Sequence, residues 1–131
     1  MRRFLPAATA ALCLLSACEG GGLPPPYRDL EVPFERLASA AARDRGRDLY
    51  LTNCALCHGE RGDGHGRRRN LSSRPRDFTD TRWRRRATPR RVFFVVREGV
   101  QGTAMASWKS LGEEETWDLV AYVLSLADNE S

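Results

Sequence analysis

The 131-residue chain is sparing with several of the residue types that usually announce a function. It has two methionines (Met1, Met105), two histidines (His58, His65) and four cysteines (Cys13, Cys18, Cys54, Cys57). Zinc usually wants four ligands, and the chain offers at most Cys54, Cys57, His58, His65 and carboxylates, with no second Cys-x-x-Cys, so zinc is the lesser reading. Apolar residues make up 41 % of the chain and aromatics 8 %, which is lean for a domain of this length; a cofactor is one way to complete such a core. No apolar run approaches the roughly 20 residues needed to cross a bilayer. No convincing strand alternation and no internal repeat occur, so the expectation is one small all-helical domain.

The first residues, "MRRFLPAATAALCLLSAC", place two arginines before a short apolar run and then small residues. That order predicts an export signal over 1–17. Leu15, Ser16, Ala17 and Cys18 resemble the lipobox of bacterial lipoproteins, which implies cleavage before Cys18 and a diacylglycerol on its thiol. The domain would then sit on the periplasmic side of a bacterial membrane, held by lipid. Cys13 leaves with the signal and Cys18 carries the lipid, so only Cys54 and Cys57 remain, too few for a disulfide framework. Residues 18–38 are rich in glycine and proline, and read as a flexible tether that gives reach rather than packing. The folded domain is expected over 39–131.

Within it, "ASAAARDRGRDLY" after Ser39 has helical character, with Gly46 and Tyr50 one turn apart on one face. A glycine-rich loop, "GERGDGHG", leads into a basic segment of little periodicity. Thr88 as N-cap, Pro89 in the first turn and Gly99 as a stop predict a helix over "RRVFFVVRE", against the strand preference of its Val and Phe. The last helix is plain: Trp117, Val120, Ala121 and Leu124 recur at helical spacing behind three glutamates that suit a helix N-terminus. Its cap is either Gly112 or Ser110, the latter with Glu113 closing a capping box.

The chemistry is concentrated in "CALCH", Cys54 to His58. On a helix the two cysteines lie on one face and the histidine follows one turn after the first. Two thiols so placed can add across the two vinyl groups of a haem while the imidazole reaches its iron. A thioredoxin-like redox pair would need a βαβ setting that this chain lacks.

With those residues the chain resembles the class I cytochrome c family over about 39–127. The likeness is carried by Gly46 and Tyr50, by "NCALCHGERGDGHG", by "GTAMASW" and by "TWDLVAYVLSL". It implies a small all-α fold in which the first and last helices cross and the intervening chain wraps one covalently bound haem c. It implies Cys54 and Cys57 as thioether sites, His58 as the proximal iron ligand and a methionine ahead of the last helix as the distal one. Met105 is in that place, and after signal removal it is the sole thioether. His65 is the rival ligand, although only seven residues separate it from His58, and an open sixth position is the third possibility. The family often has proline after the methionine; here Ala106 follows. The proximal imidazole needs a carbonyl partner, expected from "SRPRDF" near Pro75. Trp83, Trp108 and nearby arginines are candidates for the haem propionates.

Charge is divided along the chain. Residues 61–97 hold thirteen arginines and three acids, whereas 98–131 hold Lys109 and seven acids. Outside the cytoplasm nucleic acid is not the expected partner, so the basic third points to acidic redox proteins or anionic phospholipid. The sequence therefore predicts a lipid-anchored cytochrome c that moves single electrons between membrane-bound respiratory partners and turns over no substrate itself. It is expected to be a monomer unless held in a complex. The alternatives are a permanent subunit of a respiratory oxidase or reductase and, from another class, a haem sensor or peroxidase with a displaceable Met105.

Overall fold

Ser39 ends one helix and begins another: its N–H reaches back to the Arg36 carbonyl at 3.1 Å while its hydroxyl accepts from Ala42 at 3.3 Å. In the computed structural model, which describes residues 22–130 (side chains to 128), the helices are α1 (Phe34–Ala38), α2 (Ala40–Asn53), α3 (Ala55–His58), α4 (Thr81–Arg86), α5 (Pro89–Glu98) and α6 (Glu113–Ser125). Short 3-10 turns stand at Tyr27–Asp29 and Leu126–Glu130. No strand occurs among the described residues, as the sequence predicts.

The organising contact is between α2 and α6. Gly46 and Tyr50 are both buried on the face of α2 that meets α6. At Gly46 the helices come so close that a Cβ would stand 2.0 Å from the Asp118 carbonyl oxygen, inside any tolerable contact. One turn on, the Tyr50 ring packs 5.2 Å from that of Tyr122, centroid to centroid. Trp117, Leu119, Val120, Val123 and Leu124 fill the other side of the crossing. Gly112 caps α6, its N–H donating to the Glu115 carboxylate at 2.8 Å, so the Ser110 alternative is set aside.

Helix α5 settles a conflict between local preference and packing. Strand preference for its Val and Phe residues spans about 1 kcal/mol. Burying Val92, Phe93 and Val96 against α6 is worth roughly 1.5–3 kcal/mol for each fully buried side chain, so packing decides. Thr88 caps the helix through a bond from the Arg91 N–H, and Phe93 lies 4.3 Å from Trp117, ring to ring.

Two parts of the chain depart from the sequence reading. The expected slack over 18–38 does not hold for 22–38, where the segment packs. Val32 is buried and the Tyr27 ring stands edge-on to Phe94 at 5.0 Å. Arg90 Nε donates to the Leu30 carbonyl at 2.6 Å, and Arg36 Nε to Asp118 at 2.7 Å. The cause is that this stretch carries apolar and charged anchors between its prolines. The signal peptide (1–17) and Cys18 lie outside the described residues. Within the basic segment, α4 was not foreseen; Asp80 caps it through the Arg82 N–H at 2.8 Å, and Arg84 Nε donates to the Leu124 carbonyl.

Candidate haem site

Cys54 is the joint between α2 and α3. Its N–H closes α2 on the Tyr50 carbonyl at 2.8 Å, and its own carbonyl accepts from Cys57 and His58 at 3.1 and 2.9 Å. That single tight turn brings both thiols and the imidazole together. The cysteines are reduced and each is partly exposed. Burial first, and the neighbouring Cys57 second, push the Cys54 thiol up to about 11, so it stays protonated near neutrality.

The loop beyond α3 folds back on it. Gly64, Gly66 and Arg68 donate their N–H groups to the carbonyls of His58, Cys57 and Leu56 at 2.8, 3.2 and 2.9 Å. These are the carbonyls that a helix end leaves without partners, so the loop completes the helix and fixes it. Tyr50 adds a tie from α2, its hydroxyl donating to the Gly59 carbonyl at 2.6 Å.

His58 Nδ1 is 3.1 Å from the Arg76 carbonyl. A carbonyl can only accept, so the proton belongs on Nδ1 and the Nε2 lone pair is left as the ligating atom. Burial lowers the pKa of the ring, outweighing the Arg76 bond that raises it, which favours the neutral imidazole a metal requires. The ring is stacked on Phe78, 4.6 Å between centroids and 20° between planes. The acceptor thus comes from the expected "SRPRDF" stretch, one residue beyond Pro75. Phe78 was missed, although a lone aromatic among Arg74, Arg76 and Asp77 is itself a signal of something buried. It is braced in turn by Trp83, at 5.1 Å between rings.

Met105 stands in the loop between α5 and α6, partly buried. It lines a cavity of about 990 Å³ together with Tyr27, Phe94, Gly99, Val100 and Lys109, and His58 and the cysteines are not on that wall. The structure therefore assembles Cys54, Cys57 and His58 in one turn, while Met105 lines a cavity to which they do not contribute. His65 is exposed, and its ring is engaged by Arg74, whose guanidinium lies 2.7 Å from Nε2. The Trp108 indole is partly buried against the core, its backbone N–H bonded to the Val96 carbonyl at 2.9 Å.

Residues 41–123 match the family described as cytochrome c oxidase, cbb3-type, subunit III. The chain belongs to this family. It is a class I c-type cytochrome domain. A protein of Corynebacterium diphtheriae named cytochrome bc1 complex cytochrome c subunit is 29 % identical over 139 residues, covering 98 % of this chain and 46 % of that protein. The cytochrome domain thus spans less than half the length of that relative. Among solved structures, a chain of the Kuenenia stuttgartiensis reducing HAO-like protein complex is similar at a TM-score of 0.54 and 29 % identity, over 64 % of this chain and 41 % of that one. The cofactor of such a domain is haem c, and the donor set fits it: two reduced thiols on one helical turn, and an imidazole whose tautomer leaves Nε2 free. Among the described residues, no helix is long and apolar enough to cross a membrane.

Proposed function

We propose that Cys54 and Cys57 would hold a single haem c through thioethers, with His58 and Met105 supplying the side chains that bind its iron. The observation that carries the reading is the His58 ring, fixed by the Arg76 carbonyl and Phe78 beside two free thiols. The haem iron supplies one-electron exchange between its ferrous and ferric states. The chain's own residues do the rest. The thiols would tether the group, the Nδ1–H bond keeps the imidazole in one orientation, and Phe78 stacks on the ring. A methionine in the distal position favours the reduced state.

The same reading makes Cys18 the lipid site and the periplasmic side of a bacterial membrane the location. Electrons pass between respiratory partners bound to that membrane. The names of the relatives, an oxidase subunit and a bc1 complex subunit, favour permanent residence in a respiratory complex over free shuttling. Solubilisation in mild detergent separates the two. Copurification with an oxidase or reductase supports the subunit, whereas release as a lone monomer supports the shuttle. A denatured polypeptide that carries no haem, or rapid cyanide binding by the native protein at neutral pH, overturns the carrier reading altogether.

A further inference from the structure

The loop that carries Met105 is held by bonds more than by packing. Met105 borders the 990 Å³ cavity, Val100 is 41 % exposed, and Ala106 gives the backbone none of the restraint a proline would. A side chain beside so large a space has room to swing away. The loop is instead stitched to the last turn of α5. The Ser107 hydroxyl donates to the Arg97 carbonyl at 2.6 Å, and Arg97 Nη1 to the Leu111 carbonyl at 2.6 Å. The Val100 N–H donates to the Met105 carbonyl at 3.0 Å. Gly99, with φ of +73°, lets the chain turn so tightly that a Cβ there would meet the Met105 carbonyl at 2.6 Å.

One tie reaches beyond the loop and helix. Lys109 Nζ donates to Glu98 Oε2 at 2.7 Å, and the other oxygen of Glu98 accepts from the Tyr27 hydroxyl. Tyr27 is itself seated by its edge-on contact with Phe94. A residue of the N-terminal segment, the end of α5 and the Met105 loop therefore converge on one carboxylate. We infer that Tyr27 and Glu98 are positioning residues for the distal ligand: the N-terminal segment clamps the Met105 loop through Glu98 and Lys109 and so governs how readily the methionine leaves the iron. This rests on the assignment of Met105 as that ligand.

The test uses the haem-loaded protein in its ferric form, with imidazole as the competing ligand. Tyr27→Phe removes one hydroxyl, and Glu98→Gln removes the shared charge. Each should raise the imidazole association constant, Glu98→Gln by about tenfold, since the lost bonds involve charged partners. Adding Tyr27→Phe to Glu98→Gln should change little further, because both act through one carboxylate. Arg90→Gln, which loosens the same segment at Leu30 without touching Glu98, should leave imidazole binding as in the wild type. Wild-type imidazole affinity in both variants overturns the clamp, as does an equal effect of Arg90→Gln. Met105→Ala runs in parallel. If it retains the methionine-to-iron charge-transfer band, the ligand assignment itself fails, and the clamp with it. If that band vanishes while Tyr27→Phe and Glu98→Gln bind imidazole as the wild type does, only the clamp fails.

Discussion

Replacing Gly46 by alanine sets two effects of opposite sign against each other. In a solvent-facing helix the change gains up to about 1 kcal/mol, because alanine is the better helix former. At the α2–α6 crossing the new methyl would stand 2.0 Å from the Asp118 carbonyl oxygen, 2.6 Å from its carbonyl carbon and 3.0 Å from Tyr122 Cβ. Ordinary carbon contacts are about 3.5–4.0 Å, so the helices must part by more than an ångström. The nearest obstruction is backbone and cannot rotate aside, which puts the cost at the top of the usual overpacking range, about 3 kcal/mol. The net expectation is a loss of about 2 kcal/mol, or roughly 10 °C in melting temperature for a domain of this size. Thermal and urea unfolding of the haem-loaded protein, followed by far-UV circular dichroism, measures it. A variant that melts at or above the wild-type temperature would refute the close-approach account, because only the propensity gain would then remain.

Two other perturbations follow from buried ionisable groups. Burial pushes the Asp118 carboxyl up, but its bonds from Arg36 and Arg45 outweigh that and hold it below the usual range. A depressed native pKa contributes stability above the unfolded value, near 3.9, and that stability is lost as pH falls through the native value. Wild-type stability should therefore drop steeply below about pH 4, and Asp118→Asn should be less stable at pH 7 with a shallower acid slope; parallel slopes in urea titrations from pH 7 to 3 would contradict this. In the folded apoprotein the Cys54 thiol, pushed up to about 11, should react slowly with iodoacetamide at pH 8 and faster as the pH approaches that value. Peptide mapping that finds Cys54 alkylated as fast in the folded as in the unfolded chain would show that it is not protected.

What the sequence made legible was carried by side chains acting locally. Thr88, Pro89 and Gly99 bracket α5, the apolar spacing from Trp117 to Leu124 defines α6, and the spacing of Cys54, Cys57 and His58 points to the cytochrome c family that residues 41–123 match. Gly46 and Tyr50 were readable as a packing pair, although nothing local said that the Asp118 carbonyl would be the surface met. The Arg76 carbonyl was placed only to within a residue, because a backbone acceptor leaves no mark in side-chain identity. Helix α4 was hidden for another reason: six residues bearing four arginines have no apolar period, and what fixes them is distant, Trp83 on Phe78 and Arg84 on Leu124. The segment over 22–38 misled through composition. Its prolines suggest extension, but Tyr27 and Arg36 each find a partner on a helix formed much later in the chain, and Val32 joins the buried core.

The meeting of α2 and α6 also has a kinetic side. Arg45 and Asp118 are 73 positions apart, and Cys54, Cys57, His58 and Met105 all fall between them. Bringing the ends of so long a stretch together costs on the order of 4 kcal/mol in loop entropy before any packing is gained. A chain without its cofactor must meet that cost in one step. Covalent attachment at positions 54 and 57, as proposed, would put a large apolar plate inside the unclosed loop, and every side chain that collapsed onto the plate would shorten the remaining search. On the proposed attachment, the redox centre of this small cytochrome would also be a nucleus around which the two end helices could find each other.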